Sequence, residues 1–212
     1  MKKLLLWLFT VLCCMSLTGC IDVVQHITRR SDGTDQNTVC ITIAKTLLEV
    51  MTRSMSNEKA KYDELFEEYN FNSTNMAEYE PFSAKFTKIN DAVNVGFLID
   101  MNINYKDKAV LKTVNTGTID FIPKYGKKMM SIYIGSLHDT SSFDDEMSSM
   151  FLAGSKYRLL ISKSCMPSVS KVLVKTAKES METTYLDLYD EYLIEIPMLF
   201  FLQDEVTVEV YR

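Results

Sequence analysis

Val93-Asn94-Val95-Gly96-Phe97-Leu98-Ile99-Asp100-Met101-Asn102-Ile103-Asn104-Tyr105 carries the strongest periodicity in the chain. Val93, Val95, Phe97, Ile99, Met101, Ile103 and Tyr105 recur at spacing two, against Asn94, Gly96, Leu98, Asp100, Asn102 and Asn104. Successive strand residues point to opposite faces, so this is a long strand with one face in a core and the other half wet. Thirteen residues at a rise of about 3.3 Å would reach roughly 40 Å, which predicts a bend or bulge, with Gly96 as its position.

The same period extends in both directions. Upstream, a strand from Asp22 to about Arg30 meets Ser31-Asp32-Gly33-Thr34, a hairpin signal, and a second β-branched strand from about Thr38 to Ile43. The period then changes: Ala44, Leu47, Leu48, Met51 and Met55, followed by Tyr62, Leu65, Phe66 and Tyr69, are spaced as helix faces, with Glu58, Asp63, Glu64, Glu67 and Glu68 on the solvated side. Alternation returns at Phe82, Ala84 and Phe86, and Asn90-Asp91 reads as a turn.

Downstream, residues 117–122 and 128–135 read as strands around a turn at Pro123-Lys124-Tyr125-Gly126. Ser142-Phe143-Asp144-Asp145 has the form of a capping box, with Met147, Met150 and Phe151 as the apolar face and Gly154 as the stop. The tail is β again: Tyr157 to Ile161, Val169 to Val174, Tyr185 to Tyr189, Leu193 to Leu202, and Val206 to Val210. The expected class is α+β, a mostly antiparallel β-sheet of about eight to ten strands with two or three helices.

The 212 residues include 23 Lys and Arg, 28 Asp and Glu, 47% hydrophobic residues, seven Gly and four Pro. Collagen, coiled coil and disorder are excluded. At the N-terminus Lys2 and Lys3 precede an apolar run from Leu4 to Met15, which is too short to span a bilayer and matches a secretory signal. It ends in Leu17-Thr18-Gly19-Cys20, which resembles the lipobox of bacterial lipoproteins. That resemblance implies a signal peptide at 1–19 and acylation of Cys20; because strand patterns continue on both sides of the short polar stretch at 70–80, residues 20–212 read as a single α+β extracytoplasmic domain. The expected location is a cell membrane or outer membrane, on the extracytoplasmic side. Loss of residues 1–19 removes Lys2 and Lys3 and no acid, leaving 21 bases against 28 acids, a net charge of −7. An acidic body is a poor nucleic-acid binder, since phosphate contacts need basic patches.

Cys13 and Cys14 lie in the apolar run, so Cys40 and Cys165 are the remaining thiols. They can close one disulfide over a long loop in an oxidising compartment, or serve as small buried apolar side chains, as the setting Val39-Cys40-Ile41 favours for Cys40. His26 and His138 have no partner at ligand spacing, and neither CxxC nor HExxH occurs, so no metal or other cofactor is expected. Asp144, Asp145 and Glu146 suit a first helical turn, where acids offset the dipole. His138-Asp139 lacks a GxSxG elbow, and no glycine spacing fits a phosphate loop, so no catalytic residue is assigned and no enzyme is expected.

Ile196-Pro197-Met198-Leu199-Phe200-Phe201-Leu202 is the most apolar part of the processed chain. It reads as a strand buried on both faces, or as a segment in which Ile196, Met198 and Phe200 line an apolar pocket. The order of Cys20, strand, Asp32-Gly33 turn, strand and helix resembles the LppM-like bacterial lipoproteins. The resemblance implies a membrane-tethered, non-catalytic domain with a cavity for lipid or glycolipid. The alternative function is an envelope protein–protein interaction or scaffold module. A lipid carrier requires an internal cavity, whereas an interaction module requires a filled core and an exposed apolar patch.

Overall fold

The computed structural model describes residues 21–47, 77–116, 119–135, 154–202 and 205–212. The large sheet contains β1 (Ile21–Arg29), β2 (Asp35–Ala44), β3 (Lys85–Asn90), β4 (Asn94–Ile103), β7 (Lys156–Ser162), β10 (Tyr185–Asp187) and β11 (Glu191–Pro197). Its order is β10-β11-β7-β1-β2-β4-β3. The small sheet runs β5-β6-β12-β8-β9, from β5 (Pro123–Tyr125), β6 (Met129–Ile134), β8 (Lys171–Lys175), β9 (Ser180–Thr183) and β12 (Val206–Tyr211). One complete helix, α1 (Lys108–Thr116), the opening of another at 45–47, and two 3-10 turns, Ala77–Phe82 and Met198–Leu202, complete the elements among the described residues. The architecture is mostly β, and the strands of both sheets pair antiparallel except for β1 with β7.

The alternation at 93–105 becomes β4, with Val95, Ile99, Met101 and Ile103 buried. Its pairing with β2 runs residue for residue from Asp35 opposite Ile103 to Ala44 opposite Asn94, so the expected bulge is absent. Gly96 is needed for close approach instead: a Cβ there would lie 1.9 Å from the Ile41 carbonyl oxygen. The Asp-Gly hairpin forms as read. Gly33 takes φ 87°, and the Asp32 carboxylate accepts bonds from the Thr34 amide and hydroxyl.

Other boundaries move. The strand expected at 117–122 is displaced to Pro123–Tyr125, and the turn lies at 126–128, closed by Gly126 N–H donating to Met129 O at 2.8 Å. Phe121 explains the shift, because its φ of 63° ends any extended run. The strand expected from Leu193 to Leu202 stops at Pro197, which lacks the amide to continue, and the chain winds into a 3-10 turn. Strand β9 and helix α1 were not anticipated. Helix α1 is rich in β-branched residues, a poor helix signal, and is held by the Asp107 carboxylate capping the Ala109 amide and by buried Val110 and Val114. Residues 45–47 open a helix as expected. The rest of the helical reading at 44–69, and the capping box at 142–145, lie outside the described residues.

Both sheets face one core. Val23, Ile27, Val39 and Ile99 of the large sheet pack with Met130, Ile132, Val172, Val208 and Val210 of the small one. A buried polar network ties the layers together. Gln25 Nε2 donates to Asn37 Oδ1 and to the Phe121 carbonyl, both at 2.7 Å, and Asn37 Nδ2 donates to the same carbonyl at 2.7 Å. The Tyr157 hydroxyl donates to Gln25 Oε1 at 2.5 Å. The strained Phe121 backbone is thus stabilised by two amide donors from β1 and β2.

Candidate interaction surface at the β9–β11 corner

Strand β9 ends the small sheet, and after Thr184 the chain crosses to β10, the edge of the large sheet. The crossing is pinned from inside. The Tyr185 hydroxyl donates to Val169 O at 2.6 Å, its ring meets Tyr192 edge-on at 5.9 Å, and the Tyr192 hydroxyl reaches Pro167 O at 3.1 Å. A cleft of about 260 Å³ lies here, lined by Ser170, Lys171, Glu182, Thr183, Thr184 and Tyr185. Lys171 and Glu182 pair across it at 3.2 Å.

Beyond this anchored base the corner shows apolar side chains to solvent: Leu186 is 60% exposed and Tyr189 93%, with Met181 and Leu188 also exposed. Among the described residues strand β10 pairs only with β11, so its other side is a sheet edge, the kind of backbone template that accepts a further strand. Residues 179–191 carry Glu179, Glu182, Asp187, Asp190 and Glu191 and no Lys or Arg. Lys163, from the turn after β7, partners Asp187 at 2.6 Å and lies over the Tyr192 ring. The corner therefore combines apolar contact area, an open strand edge and five acids, three of which face Lys171, Lys163 and His26.

A second polar group lies at the same end of the large sheet, and its role is structural. Asp35 is fully buried and accepts from Arg29 Nε at 2.7 Å, Arg29 NH2 at 3.2 Å and the Tyr125 hydroxyl at 2.5 Å. Arg29 also sits 5.2 Å over the Tyr125 ring, so the clasp joins the β1–β2 hairpin to β5. The hydrogen bond from Arg29 to Asp35 holds the guanidinium further above its ordinary value, while burial pushes the Tyr125 hydroxyl up.

The expected site residues separate. Cys40 and Cys165 are free thiols, which corrects the disulfide reading. Cys40 follows buried Val39 on β2 and so points to the opposite face, whereas Cys165 is buried beside Tyr125 and Asp35. Five residues of strand separate Cys40 from Asp35 by about 16 Å, far beyond the Cα spacing a disulfide spans. Burial pushes the Cys165 thiol up to about 11, so it serves as a small apolar side chain.

Ile196 and Met198 belong to the packed core, Phe200 is half-buried against it, and none of the three lines the cleft at β8–β10. The segment is buried on one strand face and then at Met198 and Phe201 of a 3-10 turn that leaves Leu199 exposed, which corrects the reading of a strand with two buried faces. His26 lies 3.1 Å from Glu191 on the outer side of the large sheet. Cys20, His138, Asp144, Asp145 and Glu146 lie outside the described residues. The corner itself was missed in sequence because Tyr185 to Tyr189 reads as one alternating strand; only Leu188-Tyr189-Asp190 in succession hinted at an exposed turn.

No protein-family model, no curated protein and no solved structure matches this chain.

Proposed function

We propose that this chain is a lipid-anchored module of a bacterial envelope that binds a protein partner, without catalysis, through the β9–β11 corner. The observation that carries the reading is the cluster of exposed Leu186, Leu188 and Tyr189 on and beside an edge strand. Monomeric surfaces rarely collect apolar side chains in one place without an interaction to use them. The acids of residues 179–191 favour a partner with basic residues flanking an extended segment. A lipid-carrying cavity has less support, because Ile196 and Met198 are spent on the core.

Site-specific photo-crosslinking tests this. A photoreactive residue in place of Tyr189 in the native bacterium is expected to capture one recurrent protein, and Leu186→Asp to abolish the capture while the fold persists. A product spread over unrelated proteins, or capture unchanged by Leu186→Asp, would sink the proposal. Lipid retained by the gently extracted protein in native mass spectrometry would restore the carrier reading.

A further inference from the structure

The end of the large sheet opposite this corner has a chemistry of its own. Strand β1 begins at Ile21, whose amide donates to the Ser155 hydroxyl at 3.0 Å and which pairs with Ile43. Cys20 is therefore one peptide unit, about 3.8 Å between Cα atoms, from a residue locked into the sheet. Along this rim the strand ends follow in sheet order: Pro197 of β11 opposite Lys156 of β7, then Ile21, then Ile43 and Ala44 of β2, then Asn94 of β4. Val93, joined to Lys45 by a backbone bond of 2.8 Å, stands at one side and is 62% exposed. Leu199, just beyond the Met198 amide that donates to Ser155 O, stands at the other and is 36% exposed. At about 4.8 Å per strand, each lies roughly 10 Å from the strand that carries the tether.

Two of the charges beside the rim are paired within the protein, Arg158 with Asp22 at 2.7 Å and Lys156 with Glu195 at 2.7 Å, while Lys45 keeps its positive charge and its Nζ donates to the Asp91 carbonyl. We propose that this rim, with Val93 and Leu199 flanking the start of β1, rests on the bilayer when Cys20 is acylated. The protein then stands with its strands rising from the membrane and the β9–β11 corner directed away from it. This rests on the anchoring at Cys20 in the proposed function. The occupant is a lipid surface because Cys20 directly precedes Ile21, which is held in the sheet, so its acyl chains bring this end of β1 to the bilayer. Strand β7 runs parallel to β1 and Glu191 pairs with Ser162 at its far end, so the acidic corner is carried away from anionic headgroups.

The only Trp, Trp7, precedes Cys20, so a processed chain lets a single introduced Trp report depth. Val93→Trp, Leu199→Trp and Tyr189→Trp proteins, purified in their mature processed form from the native bacterium, are placed in phosphatidylethanolamine–phosphatidylglycerol vesicles containing lipids with a nitroxide high on the acyl chain. The nitroxide is expected to reduce emission of the Val93→Trp and Leu199→Trp proteins at least about twofold, as befits side chains at the headgroup boundary. The Tyr189→Trp protein should respond to aqueous acrylamide alone. An acylated mass with all three proteins equally open to acrylamide would overturn the standing orientation and leave the anchor intact. An unacylated mass would overturn both.

Discussion

Tyr157→Phe isolates one bond of the network that joins the two sheets. Tyr157 is 1% exposed and Gln25 0%, and burial holds the tyrosine hydroxyl protonated, so it is a permanent donor to Gln25 Oε1. The substitution keeps the ring against Phe201 at 5.7 Å and Phe121 at 6.4 Å, so its cost is polar and not a cavity. Gln25 cannot relieve the loss by rotating its amide. Its Nε2 already serves Asn37 Oδ1 and the Phe121 carbonyl, and a flip would set Oε1 against two acceptors. The variant therefore buries an acceptor without a donor, which costs about 1–3 kcal/mol. For a chain of this size a loss near the middle of that range lowers Tm by about 4–8 °C.

Gln25→Met orphans both the Tyr157 hydroxyl and Asn37 Oδ1, whereas the double variant orphans only Asn37 Oδ1. The pair should be non-additive, the double variant being no less stable than Gln25→Met alone, with a coupling of about 1–2 kcal/mol. Equilibrium urea unfolding followed by circular dichroism measures all four proteins. A Tyr157→Phe protein within about 0.5 kcal/mol of wild type, or strictly additive losses, would refute the claim that this network locks the layers.

Arg29→Met strips Asp35 of two of its three side-chain donors among the described residues and leaves a buried carboxylate with the Tyr125 hydroxyl as the remaining one, so urea unfolding should show a loss of about 3 kcal/mol or more; a Tyr125→Phe protein damaged more than Arg29→Met would contradict this. Stability should also fall in acid. Burial opposes the Glu209 charge, but bonds from Lys175 at 2.8 Å and Tyr211 at 2.6 Å more than offset it and hold the carboxyl below its ordinary 4.5, as the Lys156 bond does for Glu195. The stabilisation these two acids supply is complete above their unfolded pKa and is lost as pH falls through their lower folded values. Lys175→Met should flatten the urea midpoint between pH 5 and pH 3, roughly the window of carboxylate titration, and an unchanged pH profile would show the pair to be inert.

Local pattern carried much of the fold. The spacing at Val93 to Tyr105 reads as a strand because burial on one face leaves a period of two, and Asp32-Gly33 reads as a turn because glycine tolerates the positive φ that Gly33 adopts. Helix α1 escaped because its stability comes from a cap and from packing of Val110 and Val114, not from propensity. Phe121 escaped because a positive φ at a large residue is imposed by tertiary bonds, here from Gln25 and Asn37, which lie about ninety positions earlier in the chain.

The sequence by itself determined the strand-rich class, the main strands, the acidic balance and the candidate anchor at Cys20, since each depends on residues close together in the chain. Only the tertiary structure decided which strands neighbour one another: that β1 runs parallel to β7, that Cys40 and Cys165 face apart, and that Ile196 and Met198 close the core. The same holds for the exposed corner at Leu186 to Tyr189 and the opposite rim at Val93 and Leu199. Pairing between distant strands is set by the summed burial and hydrogen bonding of the whole sheet, and no short stretch of residues contains that information.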